Sequence, residues 1–449
     1  NEKHQRNEGI TMTNFFSQII FKLLSVVFSV VFAFSGPIGG TTPEDVVHTP
    51  DDFTPVVRFV VCSDIHLDGD ETQQAAIRFA NLFTDMYEYA EGCEYKNLDA
   101  VIVAGDFTGG GAEKEYQIYN KIIKENKKDG TQILTVLGNH EFIDYRDVDA
   151  TVGYDIYRKY VNEDVDTDII INGYHFIGVS YDDNGKTFSG KTDWLDERLA
   201  NATAEDPDKP IFVYQHPHPA LTVYGSANWG DVDTRAVLSK YPQVVNFSGH
   251  SHYAASDPRS VWQGEFTAVG CGSLSAFMGN LNYIDGDKDA PGNSGGAWLV
   301  ECDANGNVSM KLYDAENRIF FDNIDYYLTD LSDSSKRTHN WQKQESLDTA
   351  PEFPENVVVT SYVDENGDTI ITFPEATGYY PAENYKIKVT KNLKTVYEQT
   401  VISEYVRATD DDVSVNLGQL SDGKYKVKIV AYSPYAKKGE TIRQIITVE

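Results

Sequence analysis

The chain has 449 residues, with 69 Asp and Glu against 38 Lys and Arg, for a formal net charge of −31. That length exceeds the roughly 250–300 residues one hydrophobic core organises and predicts two or three domains, while 41% hydrophobic and 12% aromatic content excludes a disordered or fibrous chain. The acidity excludes non-specific attraction to nucleic acid or anionic lipid, which needs clustered Lys and Arg, but not an anionic substrate, because bound metal ions can dominate a local field.

Residues 1–36 read as a secretory signal peptide. From Phe15 to Phe34 the only charge is Lys22, which precedes a short apolar core, Leu23 to Phe32, and the small-residue stretch Ala33-Phe34-Ser35-Gly36. Met12 stands where such a leader would begin, making residues 1–11 an over-extended start. Left uncleaved, the segment approaches the ~20 residues needed to span a bilayer and would anchor the protein. Either way the protein is expected to be secreted or held at the cell surface. Four cysteines, with no C-x-x-C spacing, are too few for a disulfide scaffold. Cys62 and Cys271 sit in strand-like apolar runs, where a thiol behaves as a small hydrophobe.

Residues 50–330 read as the first domain. Val56–Ser63, Ala100–Ala104 and Thr131–Leu137 are short apolar, β-branched runs, with helical spacing over residues 71–90 and 113–128 between them. That alternation predicts βαβ units and a largely parallel, buried sheet. Ile169–Ser180, with Asn172-Gly173 at its centre, reads as a hairpin. So does Ala297–Tyr313 around Asn305-Gly306-Asn307. Ile211–Gln215 and Val244–Ser248 are buried-strand candidates, with a helix expected over 232–240. Residues 331–354 are polar, aperiodic and end in prolines, as a linker does. From 355 to 449 the chain is short alternating strands separated by turns, the pattern of a β-sandwich. Through Pro354, Tyr385-Lys-Ile-Lys-Val and Leu420-Ser-Asp-Gly-Lys-Tyr-Lys-Val it resembles a fibronectin type III module. Cell-surface or carbohydrate contact is the partner expected for it.

The residues that carry chemistry stand where the strand candidates end. Asp64-Ile-His66 follows the first strand, Gly105-Asp106 the second, Gly138-Asn139-His140-Glu141 the third, His216-Pro-His218 the fourth and Gly249-His250-Ser-His252 the fifth. In α/β sheets the ligand crevice lies outside the carboxyl ends of the strands, so five segments deliver side chains to one edge. Carboxylate, amide oxygen and imidazole suit Zn, Mn, Fe or Ni, and no thiolate is offered. Each piece alone has an ordinary explanation as a turn or a solvated strand end; the ordered set does not.

That set resembles the calcineurin-like metallophosphoesterase superfamily over residues 56–275. The resemblance implies an α/β fold, the four-layer α/β sandwich of the metallophosphoesterase type, followed here by a small all-β sandwich domain. It also implies two divalent metal ions. Asp64, His66 and His252 would hold one; Asp106 would bridge; Asn139, His216 and His250 would hold the other. His140 would protonate the leaving group or stabilise the phosphoryl oxygens. A metal-bridging hydroxide would then attack phosphorus in line, with no Ser or Cys nucleophile.

Three departures bear on these assignments. Many members place an acid three residues after the bridging Asp to orient the catalytic His; here the position is Gly109, leaving Glu113 as a substitute. The absence of Tyr there argues against a tyrosinate–iron(III) site. His216 and His218 compete for one ligand role, and His216 is preferred because it directly follows the strand. Elsewhere, Tyr224 to Trp229 offers aromatics that either wall a substrate pocket or pack. Asp285-Gly-Asp-Lys-Asp289 resembles a calcium loop but has Gly296 at position 12, so it reads as a solvated loop. Arg146 and Arg235 are alternative phosphate contacts.

Two functions remain open at this point. One is a secreted phosphoesterase hydrolysing small phosphate mono- or diesters, with no nucleic-acid surface. The other is an extracellular binding or adhesion protein on a catalytically silent phosphoesterase scaffold. Retention of the full donor set separates them in favour of the enzyme.

Overall fold

The apolar run at residues 56–63 forms strand β1 (Pro55–Cys62), the centre of a six-stranded sheet. The computed structural model describes residues 48–145, 149, 151–181, 187–276, 295–409 and 412–449, and Asp45–Glu449 form one compact unit. The expected leader, Arg146 and the 285–289 loop lie outside the described residues. Among the described residues no helix is long and apolar enough to cross a membrane.

On one side of β1 run β2 (Ala100–Val103) and β3 (Gln132–Thr135), both parallel to it. On the other run β12 (Gly296–Asp303), β13 (Val308–Asp314) and β14 (Ile319–Leu328), all antiparallel to their neighbours. A second six-stranded sheet has β5 (Tyr174–Val179), β6 (Ile211–Gln215), β9 (Val244–Ser248) and β11 (Thr267–Gly270) in parallel. The antiparallel strands β4 (Thr167–Ile171) and β10 (Val261–Gln263) edge it. Between β6 and β9 the chain makes a short parallel pair, β7 (His218–Pro219) and β8 (Gly230–Asp231). The hairpin from β4 to β5 turns on Asn172 and Gly173, both at positive φ, 51° and 83°, as a two-residue primed turn requires.

The two sheets pack face to face. Val57, Phe59, Val61, Ala100 and Ile102 meet Phe176, Phe212, Tyr214, Val245 and Phe247 in one core. The ring of Phe59 lies 5.0, 4.8 and 6.0 Å from those of Phe176, Phe212 and Phe247. The alternate residues, Val60, Cys62, Val101 and Val103, face outward under helices Gln74–Gly92 and Glu113–Asn126, where Phe79 stacks on Tyr119 at 5.6 Å. Ile177, Val179 and Val213 face outward with Leu195 and Leu199 of helix Thr192–Glu205 and Val237 and Leu238 of helix Val232–Leu238. The result is a four-layer α/β sandwich, and burial on both faces explains why its parallel strands read as unbroken apolar runs. All four cysteines are unpaired, and Cys62, Cys271 and Cys302 are buried among core side chains.

Residues 331–354, expected as a linker, are tied down. They contain helix Trp341–Leu347 and bury Arg337, His339 and Gln344. The Gln263 side chain of β10 accepts the Thr338 and His339 N–H groups, and Arg337 donates to Pro242 and Leu331 carbonyls. Beyond them a three-stranded sheet, β15 (Thr360–Val363), β16 (Thr369–Phe373) and β19 (Val413–Asn416), shares a core with a four-stranded one. That second sheet comprises β17 (Asn384–Lys391), β18 (Lys394–Ile402), β20 (Gly423–Tyr432) and β21 (Lys438–Val448). Ile371, Phe373, Tyr385, Ile387, Val427 and Ile429 fill the space between them.

Candidate metal centre

Strands β1, β2, β3, β6 and β9 release their chains at the same edge of the two facing sheets, and the turns bond to one another. Asp64 N–H donates to Gly105 O (3.1 Å), His66 N–H to Asp106 O (3.0 Å) and Gly249 N–H to His216 O (2.8 Å). His250 N–H donates to Asp64 Oδ2 across the sheets (2.9 Å). Asp64, His66, Asp106, His250 and His252 all have left-handed φ, between 50° and 72°. Such backbone costs about 1–3 kcal/mol per residue and persists where the surroundings impose it. Glycines make room for the rest. A Cβ on Gly138 would lie 2.1 Å from Asp106 Oδ1, and one on Gly249 would lie 2.1 Å from Asp64 Oδ2.

The ligand atoms converge in three overlapping groups, Asp64–His66–His252, His66–Asp106–His140 and Asp106–His216–His250, with all atoms of a group within 4.8 Å of one another. Asp64 Oδ1 lies 3.0 Å from His252 Nε2 and 3.6 Å from His66 Nε2. Asp106 Oδ2 lies 2.9 Å from His216 Nε2 and 3.9 Å from both His66 and His140 Nε2. One carboxylate oxygen of Asp106 thus faces both ends of the constellation. Asp64 Oδ1, Asn139 Oδ1 and His216 Nε2 are buried and make no hydrogen bond. Leaving such atoms unsatisfied costs stability, so their burial without partners fits cations that they would coordinate. These two His/Asp-rich ends are consistent with a binuclear divalent metal site.

The imidazoles are aimed by their other nitrogens. Nδ1–H of His216 donates to Ala104 O (2.8 Å), that of His252 to Ala276 O (3.0 Å) and that of His140 to Gly109 O (2.7 Å). Each bond fixes the tautomer that turns Nε2 inward, as metal-binding histidines require. Burial opposes charge on Asp64 and Asp106, but the facing imidazoles outweigh it and hold both carboxyls below the usual range, Asp64 through His252 and His216 and Asp106 chiefly through His216. Burial pushes His66 and His250 down to about 4. It opposes charge on His216 too, but the Asp106 and Asp64 carboxylates raise that group to about 9. Ionised carboxylates and neutral His66 and His250 imidazoles are protonation states in which metals bind; at His216 a cation would have to displace the proton that the two carboxylates favour.

Two carboxylates hold the turns from behind. Glu141 is fully buried and accepts from Asp106 N, Gly138 N, Thr108 N and Thr108 Oγ1 at 3.1, 2.6, 2.8 and 2.8 Å. Burial and the Asp106 charge push it up to about 8 against the pull of those donors. Glu115 Oε2 accepts the N–H groups of Gly110, Gly111 and Ala112, each at 3.0 Å. Neither role follows from spacing alone; the one hint is an acid directly after Asn-His.

The remaining candidates are placed as follows. The carbonyl of Gly109 does what a carboxylate was expected to do for His140, while Glu113 turns away to Lys159 and Tyr160, at 2.7 and 2.6 Å. His218 is spent on Ser248 and Ser251 hydroxyls, at 2.8 and 2.7 Å, and offers no free nitrogen, whereas His216 joins the cluster. Arg235 is not placed for phosphate: it donates to Ala220 and Leu221 carbonyls and to Glu265. Tyr224 packs, stacking 3.7 Å under the Arg259 guanidinium. Trp229, 39% exposed, stands edge-on to the His250 ring at 5.3 Å and borders the site.

Comparison with known proteins gives one family match and several distant likenesses. Glycerophosphodiester phosphodiesterase GpdQ of Enterobacter lignolyticus (strain SCF1) is 28% identical over 167 residues, 34% of this chain and 56% of that protein. The chain therefore spans about half the length of that curated relative. Among solved structures, purple acid phosphatase PPD1 from yellow lupin (Lupinus luteus) seeds is similar at TM-score 0.45 and 12% identity, covering 64% of this chain and 54% of that one. TT1561 of Thermus thermophilus is similar at TM-score 0.32 and 14% identity, covering 59% and 97%. Both structural likenesses are distant. Residues 57–254 match the calcineurin-like phosphoesterase family, and with the donor set at one sheet edge the chain carries a calcineurin-like metallophosphoesterase domain.

Proposed function

We propose that the protein is a metal-dependent phosphoric ester hydrolase acting outside the cytoplasm on small phosphate esters. The observation that carries this reading is the convergence of the Asp64, His66, Asp106, His140, His216, His250 and His252 ligand atoms in overlapping groups, beside buried Asn139 Oδ1 without a hydrogen bond. Asp64, His66 and His252 would hold one divalent cation, Asn139, His216 and His250 the other, and Asp106 would serve both. Bound there, the cations supply positive charge to the phosphoryl oxygens and acidify the water that attacks phosphorus.

The chain's own residues do the rest. Asp106 supplies the negative charge that lets two dications sit close, and its other oxygen accepts the His140 N–H at 2.8 Å. The His140 side chain is partly exposed (31%), and its Nδ1–H is engaged by Gly109 O. As the imidazolium, with Nδ1–H held by Gly109 O, it would give its Nε2 proton to the departing alkoxide or donate it to a phosphoryl oxygen. Trp229 closes one side of the entrance beside His250. The activity named for the Enterobacter relative favours a diester over a monoester.

The test is direct. Protein loaded with Mn or Zn should hydrolyse bis-p-nitrophenyl phosphate faster than p-nitrophenyl phosphate, and chelation should abolish both. Hydrolysis of neither would overturn the reading and leave a silent scaffold.

A further inference from the structure

The outer face of the C-terminal four-stranded sheet is charged opposite to the molecule as a whole. Tyr385, Ile387, Val389, Tyr425, Val427 and Ile429 point into the sandwich, so alternate positions face solvent. Those positions hold Lys386 and Lys388 on β17, Lys424, Lys426 and Lys428 on β20, and Arg443 on β21. The register sets Lys388 directly opposite Lys428, and Lys428 directly opposite Arg443. Three cations therefore form a row across three strands, crossed by the three lysines of β20.

Neighbouring strands lie about 4.8 Å apart and every second residue recurs at about 6.8 Å, so the cross spans roughly 10 by 14 Å. Like charges directly opposed destabilise a sheet. Glu398 relieves Lys388, at 2.7 Å, but only at that end. Lys424, Lys426, Lys428 and Arg443 have no acidic partner among the described residues. Lys388, Thr390, Lys426, Lys428, Arg443 and Ile445 line a groove of ≈ 340 Å³.

We propose that this face binds an acidic polysaccharide, a linear polymer whose repeating sulfate or carboxylate groups lie along β20 and are clamped by Lys388 and Arg443 on either side. The groove has no aromatic lining on which a base would stack, which disfavours single-stranded nucleic acid. A flat anionic bilayer would be repelled by a chain of net charge −31. A single polymer strand stays within about one Debye length, roughly 8–10 Å, of the cationic row. Thr390 offers a hydroxyl, and Ile445, 62% exposed, an apolar contact for a sugar ring. None of these strands carries a residue of the metal centre, so the proposal stands or falls independently of the hydrolase reading.

The experiment uses the full chain on immobilised heparin, with titration of dextran sulfate at low and physiological salt. The wild type should be retained and released by salt. The double variant Lys426→Glu, Arg443→Glu should lose at least about tenfold in affinity at an unchanged unfolding midpoint. Lys426→Gln with Arg443→Gln should lose an intermediate amount, which covers the case in which reversal prevents folding. Failure of the wild type to be retained, or equal retention of the neutralised variant, overturns the proposal. So does tighter binding of a single-stranded oligonucleotide or of phosphatidylserine vesicles than of dextran sulfate, or self-association that the same substitutions abolish.

Discussion

Glu141 shows how much of the centre rests on a residue that touches no substrate. Its oxygens tie the turn after β2 to the turn after β3 through four donors. Glutamine would point an NH₂ group either at the Asp106 and Gly138 N–H groups or at the N–H and hydroxyl of Thr108, and lose acceptors in both orientations. Glu141→Gln should therefore weaken metal binding about 10–100-fold and cost about 1–3 kcal/mol of stability, read by metal titration and urea unfolding. Asp106→Asn, by contrast, removes the charge shared by both ends of the cluster, and hydrolysis should fall by about 10²–10³-fold or more. The candidate ligands were legible in the sequence because each is a donor-bearing residue placed where an apolar strand stops. The support for His140 was not. The position three residues after Asp106 is Gly109, with Glu113 as the candidate substitute, and it is the Gly109 backbone carbonyl, which any residue supplies, that does the work.

Among elements, the strands buried on both faces were the readable ones. β1, β2, β3, β6 and β9 are continuous apolar runs, and their ends define the site. Helix Thr192–Glu205 went unread because it buries only Leu195, Leu199 and Ala202. β18, mostly exposed at a sheet edge, packs only Tyr397 and Val401 against the core, too little apolar pattern to betray it. The glycines at strand ends are testable as packing. Gly249→Ala would set a Cβ 1.9 Å from Ser63 Oγ and 2.1 Å from Asp64 Oδ2, costing about 1–3 kcal/mol and lowering metal content together with the unfolding midpoint.

The 331–354 segment gives a pH dependence of its own. Burial pushes His339 down to about 4 from 6.5, and its ring accepts from Gln344 Nε2 at 3.0 Å. Below pH 6.5 the unfolded chain takes up a proton that the folded chain refuses until about pH 4. Stability should then fall as pH drops through that window, by up to about 3 kcal/mol. Urea midpoints measured at neutral pH and near the lower end of the window should converge in His339→Phe relative to the wild type, metal loss being common to both.

Across the whole molecule, the C-terminal sandwich is bolted to the site rather than trailing from it. Arg259 donates to Asp257 (2.6 Å) and to Glu383 (2.6 Å) at the start of β17. Tyr224 donates to the same Glu383 (3.0 Å), and Tyr405 donates to Asp257 (3.2 Å). Asp257 and Arg259 follow His252 in the chain, and Tyr224 precedes Trp229, so two loops that border the centre lean on the C-terminal domain. Without Glu383, Arg259 keeps its Asp257 partner, so the loss is that of charged hydrogen bonds, about 1.5–3 kcal/mol. Glu383→Ala should lower the unfolding midpoint accordingly and slow hydrolysis, since both loops lose their anchor. The sequence did not reveal this bolt, because its members lie 124 residues apart in segments that read as turns.

The account depends most on two cations per chain. Elemental analysis of the purified, metal-reconstituted protein should find two equivalents of Mn or Zn, falling to one or none in Asp106→Asn. A wild-type protein that binds no metal, or keeps only one equivalent at saturation, would contradict it.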